Sequence, residues 1–297
     1  MTYSLVARDP ETGELGVAVQ SHYFSVGSVV SWAEPGVGAV ATQSMVDVSY
    51  GPLGLQLMRA GRSAAGALGE LVDRDQGEAA RQVAMIDAAG RVAVHTGHSC
   101  IAEAGHRVGN QMSAQANMMR RGTVPDAMVE AYQSAQGDLA ERLLSALEAA
   151  EAEGGDIRGR QSAAVLVVGG RRSTEPWEHK PVDLRVEDHP EPLGELRRLL
   201  RLRRAYDEME LGEQLAVQGD LEGALGHYER AHAAAPDNTE IAFWLGLALG
   251  GSGRVEEGRE QIRRVSEVND GWAELLRRLP AAGLIPDDPD LLRGLLP

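Results

Sequence analysis

Residues 1–21 read MTYSLVARDPETGELGVAVQS, two β-type runs around a turn. Tyr3 to Arg8 and Leu15 to Gln20 carry the Val, Leu and Tyr that favour a pleated strand. DPETGE between them supplies Asp, Pro and Gly where the chain must reverse, so the pair forms a hairpin. Thr2 stands directly behind the initiator Met and is small enough for ordinary methionine removal to leave it first. It is either a common second residue or an N-terminal nucleophile at the head of a strand, and a pattern this short does not separate the two.

Outward from the hairpin, up to about residue 180, strands and helices mix. SVGSVVSW at 25–32 and VGAVATQ at 37–43 are β-type runs separated by AEPG. From Tyr50 to about Asp73 the apolar spacing turns helical, through Leu53, Leu57, Leu68 and Leu71, with a break at Gly61. RQVAMIDAAGRVAVHTG at 81–97 is a second hairpin turning at Asp87 to Gly90. Helices return from about 123 to 153, and QSAAVLVVGG at 161–170 reads as a final buried strand. That order suits an α+β domain, an antiparallel sheet system with helices on its outer faces. Residues 171–196 read as an extended connector opening with one or two edge strands.

The second half carries no strand signal and a repeat. Residues 34 apart recur in kind, as Leu211 and Leu245, Gly212 and Gly246, Leu215 and Leu249, and Gly219 and Gly253. With Ala224, Tyr228, Ala231 and Pro236, this is the tetratricopeptide period, whose small residues let paired helices approach. The expected organisation is a first domain over 2–185, a linker helix over 186–204 containing RRLLRLRR, and an all-helical annex over 205–297. An incomplete repeat array leaves apolar helix faces uncovered, so a homodimer and a protein partner at the tail are expected.

Composition narrows the function classes. The formal net charge is -15, with 12 Arg against 19 Asp and Glu before residue 171, so neither half offers the basic footprint of a nucleic-acid binder. No run of about 18 apolar residues and no signal-peptide pattern occurs. A cytoplasmic protein without membrane contact is the expectation. The lone Cys100 cannot form an internal disulfide. His95, His98 and His106 allow a metal-hydrolase reading, but no carboxylate is placed with them, and neither a metal nor a cofactor is expected.

Four stretches hold more polar and glycine residues than packing needs: ATQSMVDVSYG at 41–51, HTGHSC at 95–100, GHRVGNQMSAQANMM at 105–119 and GGDIRGRQSAA at 154–164. Each sits at a strand end or helix entry, where amides and short side chains can converge on a ligand. Each also admits a structural reading: turn glycines, Asp156 as a cap, Arg158 or Arg160 in an ion pair.

TYSLVARDPETGELGVAV, RQVAMIDAAGRVAVHTG and GGDIRGRQSAA together resemble the bacterial Ntn-hydrolase-like family known as domain of unknown function 1028, over residues 2 to about 190. The resemblance implies the four-layer αββα sandwich of N-terminal nucleophile hydrolases, which cleave amide bonds with the chain's first residue. The sequence from DLRVEDHPEPLGELRRLL onward is similar to a tail attached to this family and labelled peptidoglycan-binding. The element order also resembles a proteasome β-subunit. Carried over by position, Thr2 matches the nucleophile, the turn at Thr42, Gln43 and Ser44 takes the oxyanion role, and Asp156 with Ser162 poises the terminal amine. Ser113 or Asn117 approaches from the side. The lysine partner of that family has no counterpart, since Lys180 is the only lysine and lies beyond the matched strands; His22 or an arginine such as Arg158 takes its place.

The resemblance thus implies a catalytic set of Thr2, Gln43, Ser44, Asp156 and Ser162, with His22, Thr42, Asn117, Arg158, Arg160 and Gln161 around the substrate. The chemistry is hydrolysis of a small acyl or ureido amide, with the α-amine of Thr2 as base. The two arginines suit a carboxylate-bearing substrate. The rival class is a non-catalytic protein that uses sandwich and repeat to hold a partner.

Overall fold

The computed structural model describes residues 2–175, 177 and 179–297. Its chain falls into two compact units, Met1–Arg198 and Leu199–Pro297.

In the first unit, β1 (Thr2–Arg8) and β2 (Leu15–Ser21) form the expected hairpin. Asp9 closes the turn: its Oδ1 accepts from the backbone N–H groups of Glu11 and Thr12 at 2.8 and 2.9 Å. The hairpin lies in the middle of a six-stranded antiparallel sheet of order β10-β9-β2-β1-β8-β7, where β7 is Gly105–Gly109, β8 Met112–Asn117, β9 Ser162–Val168 and β10 Val182–Val186. A second antiparallel sheet has the order β3-β4-β5-β6, formed by Ser31–Glu34, Gly38–Ser44, Arg81–Asp87 and Val92–Thr96.

Strand alternation sends successive residues to opposite faces, and β1 is buried on both. Val6, Val17 and Val19 of the first sheet join Ala39, Ala41, Ala84 and Ile86 of the second in one apolar cluster, so these faces oppose each other. Tyr3, of the other parity, reaches helix α5 (Leu139–Ala152), where its hydroxyl donates to Glu151 at 2.8 Å. Gly16 permits that approach, because a Cβ there would lie 2.6 Å from Leu143. Helix α4 (Val124–Ser134) packs on β7 and β8. Across the molecule, α2 (Tyr50–Arg59) and α3 (Ala64–Val72) cover the outer face of the second sheet through Tyr50, Leu55, Met58 and Leu68 against Val40, Val83 and Met85. The break at Gly61 falls between these two helices.

Two readings of the sequence change. The run 25–32 is not one strand: its first part is the short helix α1 (Gly27–Val30), and only Ser31 onward is β3. Side-chain and backbone anchors outweigh the β-propensity of the valines. Ser162 Oγ donates to the Tyr23 carbonyl at 2.5 Å and accepts from the Val26 N–H at 3.0 Å, while Ser25 turns the chain at φ 56°. The segment 105–119, expected at a strand end or helix entry, is itself a hairpin of β7 and β8. Met112, Ala114 and Ala116 are buried on one face of β8, and Ser113, Gln115 and Asn117 are equally buried on the other, so a polar-looking run is a core strand.

The second unit is helical, and no strand occurs among its described residues. Helix α6 (Pro192–Val217) starts later than the expected linker helix and runs through residue 204 into the tail without a break. No Gly or Pro interrupts 195–211, and Pro192 suits a first helical turn, where an N–H would lack a partner. Then follow α7 (Leu221–Ala234), α8 (Thr239–Gly251), α9 (Val255–Val268), α10 (Gly271–Arg278) and α11 (Pro289–Leu295). Ala224, Tyr228 and Ala231 of α7 pack with Ile241, Leu245 and Leu249 of α8. No helix among the described residues is long and apolar enough to cross a membrane.

Candidate functional site

The side-by-side strands β8, β1, β2 and β9 set Asn117, Thr2, Ser21 and Ser162 in one row, since Asn117 pairs with Thr2, Thr2 with Ser21 and Ser21 with Ser162. Directly opposed residues point to the same face of a sheet. Here that face looks at the second sheet, because Ser4, two residues along from Thr2, donates from Oγ to Gln43 Oε1 of β4 at 2.7 Å. Thr2 Oγ1 donates to Ser21 Oγ at 3.1 Å in a buried pair.

Beneath the row lies a buried amide network. Gln43 Nε2 donates to the Thr2 carbonyl at 3.2 Å, to Gln82 Oε1 at 2.7 Å and to the Gln115 carbonyl at 3.3 Å. Asn117 Nδ2 donates to Gln82 Oε1 at 2.9 Å and to the Thr2 carbonyl at 3.4 Å. Gln82 Nε2 in turn donates to Thr96 Oγ1, to the Gly105 carbonyl and to the Ala116 carbonyl at 3.0, 3.1 and 2.9 Å. Gln115 Nε2 donates to Ser4 Oγ at 2.6 Å. Thr2 thus hangs from the second sheet by its own carbonyl, which fixes the head of β1 while its hydroxyl faces Ser21. Asn117 Oδ1 is buried with no hydrogen-bond partner among the described residues, leaving an acceptor on the residue paired with Thr2.

Of the residues singled out from sequence, Thr2, Gln43 and Asn117 come into direct contact. Asp156 and Ser162 lie one step away and grip other groups. Asp156 Oδ2 accepts from the His22 N–H at 3.2 Å, and both of its oxygens take the Arg158 guanidinium in a fork, at 3.1 Å from Nε and 2.8 Å from a terminal nitrogen. Ser162 Oγ anchors the 22–26 loop as described. Thr42, Gln43 and Ser44 are not a turn but the last three residues of β4, which the chain leaves at Ser44 with φ 73°. Thr42 Oγ1 donates to the Asp47 carbonyl at 3.0 Å and holds the following loop. Arg160 pairs with Glu151 and Glu191, Gln161 with Asp188, and the His22 ring with the Arg160 carbonyl at 3.3 Å. Met1, whose removal the nucleophile reading requires, lies outside the described residues.

Lys180 belongs elsewhere. Val182 pairs with Val167, at the end of β9 away from Ser162, which at ~3.3 Å per residue puts Lys180 roughly 20 Å from the row. It lines a recess of ≈ 270 Å³ with Trp32, Asp183 and Arg185. The histidines do not gather either. His95 Nε2 lies 2.8 Å from the Glu78 carbonyl, His106 contacts Thr96 Oγ1, and no group of three or more His, Cys, Asp and Glu among the described residues is placed to hold a metal ion. Near the site, burial, reinforced by the Glu151 carboxylate, holds the Tyr3 phenol well above its ordinary range, so it remains a neutral donor.

Ser4, Ser21, Gln82 and Gln115 escaped the sequence reading. The signal for Ser4 and Ser21 was parity, since Ser4 shares a face with Thr2 and Ser21 a row. Gln82 stood out only as an amide inside the apolar run RQVAMID.

Comparison with known proteins agrees with this division. A model of the Family of unknown function (DUF1028) matches residues 2–196, and a tetratricopeptide-repeat model matches residues 215–279. The chain belongs to the DUF1028 family and carries a tetratricopeptide-type tail. Among solved structures it is similar to the crystal structure of protein SPO2555 from Silicibacter pomeroyi, of the same family, at 33% identity and a TM-score of 0.61, covering 67% of this chain and 84% of that one. A search of curated proteins finds no match.

Proposed function

We propose that the first unit is an αββα sandwich of the N-terminal nucleophile type and that the chain hydrolyses the C–N bond of a small acyl amide with Thr2 as nucleophile. The observation that carries the reading is the placement of Thr2, at the head of a central strand. Its hydroxyl faces Ser21 at 3.1 Å, and its carbonyl is held by the amides of Gln43 and Asn117. A threonine hydroxyl is a weak nucleophile at neutral pH and needs a base beside it. The α-amine of a mature Thr2, with a reference pKa of about 7.7–8.0, serves as that base.

As Oγ1 attacks the amide carbon, its proton passes to the amine and an Oγ1–C bond forms. Asn117 Nδ2 holds Gln82 Oε1 at 2.9 Å through one N–H, and its other N–H, on the long 3.4 Å contact to the Thr2 carbonyl, is the donor best placed to turn toward the oxyanion. Collapse breaks the C–N bond, and the ammonium returns its proton to the departing amine. Water, deprotonated by the same α-amine, then attacks the ester, and the protonated amine gives that proton to Oγ1 as the ester bond breaks. The sum is amide plus water giving acid plus amine, with Thr2 restored.

Intact mass of the purified protein should show loss of one methionine. Thr2→Ala should lower amide turnover by several orders of magnitude, as removal of a nucleophile does, while costing only about 1 kcal/mol of stability for one buried hydrogen bond. A screen of N-acyl, ureido and γ-glutamyl amides supplies the assay. Undiminished turnover in Thr2→Ala, or full activity in protein that retains Met1, would refute the reading.

A further inference from the structure

The loops that leave the row of site residues carry bulky apolar side chains in the open. Tyr23 and Phe24 follow Ser21, Met45 and Val46 follow Ser44, and Ile157 follows Asp156. Ile101 is tied to the residue after Asn117 by the Met118 N–H, which donates to its carbonyl at 2.9 Å. The same Met118 carbonyl accepts from the Ile157 N–H at 3.2 Å, and Asp156 holds the backbone of His22. These loops therefore surround one end of the two sheets. Tyr23, Phe24, Met45, Ile101 and Ile157 are 46 to 63% exposed, although the chain has only two phenylalanines to place. At the opposite end, β1 and β2 and then β5 and β6 are joined by the polar turns after Asp9 and Asp87. Apolar side chains left in the open on loops around one end of the sheets are the kind of exposure that marks a binding surface.

The two arginines expected to receive a carboxylate are already engaged. Arg158 is forked onto Asp156, and Arg160 is paired with Glu151 and Glu191. A carboxylate-bearing substrate would have to displace the protein's own carboxylates, whereas a hydrocarbon chain has nothing to displace. We infer that the acyl part of the substrate is an aliphatic chain of medium length, held by this rim with its carbonyl at Thr2. The inference rests on the amidohydrolase reading for its chemistry, but the rim itself makes a claim about binding alone.

The test uses acetyl, butyryl, hexanoyl and octanoyl p-nitroanilides with the full chain, and in parallel calorimetric binding of acetamide and octanamide to the Thr2→Ala protein. The expected result is a kcat/KM that rises with chain length, up to about fourfold per methylene where each is fully buried, and octanamide binding far tighter than acetamide. Phe24→Ser with Ile157→Ser should lower the octanoyl-to-acetyl ratio at least about tenfold, since two apolar contacts are lost. Met45→Ser provides a second variant should that pair fold poorly.

Thr2-dependent turnover with no preference for chain length, or equal binding of the two amides, overturns the inference and leaves the amidohydrolase reading intact. Selective octanamide binding without turnover of any amide does the reverse. Rim variants that turn a dimer into a monomer in sedimentation without changing the chain-length ratio would assign the surface to a second copy and overturn the inference.

Discussion

Replacing Gln82 by leucine removes the centre of the amide network while keeping the side-chain volume close. Gln82 makes five hydrogen-bond contacts, donating to Thr96, Gly105 and Ala116 and accepting from Gln43 and Asn117, all between 2.7 and 3.1 Å. At a net worth of about 1 kcal/mol for a neutral hydrogen bond, the full set amounts to about 5 kcal/mol. Gln43 retains the Thr2 and Gln115 carbonyls, and Thr96 retains His106. The Asn117 amide is left with only its long contact to Thr2. The expected loss for Gln82→Leu is therefore about 3 kcal/mol, large beside a domain stability of roughly 5–15 kcal/mol but not enough to unfold it. Urea unfolding combined with hydrogen exchange at β1 measures this for the first unit alone. Gln161→Leu, which removes one exposed contact to Asp188, serves as the control and should cost under about 0.5 kcal/mol. A loss below about 1 kcal/mol for Gln82→Leu would show that the contacts of Gln82 do not stabilise the first unit.

Two further outcomes concern regions away from the site. Burial raises the Asp9 carboxyl pKa, but hydrogen bonds from the Thr12 and Glu11 N–H groups and the Arg142 charge outweigh it, leaving the pKa below the ordinary value. The folded state then binds fewer protons than the unfolded one. The stabilisation is complete above the unfolded pKa of about 3.9 and is lost as pH falls through the folded value. Asp9→Asn should thus melt lower than the parent at pH 7, with the gap closing below about pH 4; a gap independent of pH would refute the assignment. In the tail, a Cβ at Gly258 would lie 2.5 Å from the Gly246 carbonyl, so Gly258→Ala should force α8 and α9 apart and cost on the order of 1–3 kcal/mol. A wild-type melting profile for helical signal in that variant would show that the close approach is dispensable.

Periodicity carried much of the fold because it reflects burial directly. The β1–β2 hairpin, the break at Gly61 and the 34-residue spacing of the tail each follow from where apolar and turn residues fall. It failed where tertiary contacts override local preference. The valines at 26–30 look like a strand, yet Ser162 fixes the loop before them and makes a helical turn. MSAQAN carries no strand signal because its residues are small or amide-bearing. It is a buried strand because its polar face meets Gln43 and Gln82, and a polar core cannot be read from one strand when its partner amides lie 34 to 72 residues away.

The same reason limits how much of the site the sequence reveals. Thr2 could be named because it begins a run that resembles the family, and Gln43 and Asn117 because of their places in the element order. What makes them one site is pairing: Thr2 meets Asn117 only because β1 pairs with β8, and reaches Gln43 only because the two sheets face each other. Asp156 and Ser162 show the converse. Their positions before a buried strand suggested a role at the amine, and what the fold adds is that each holds the loop that follows Ser21, Asp156 through the His22 N–H and Ser162 through the Tyr23 carbonyl and Val26 N–H. Ser162 therefore acts from the end of the row and Asp156 from beside it, by setting where β2 ends and where Tyr23 and Phe24 stand. Substituting either should disturb substrate selection through that loop before it disturbs the hydroxyl of Thr2.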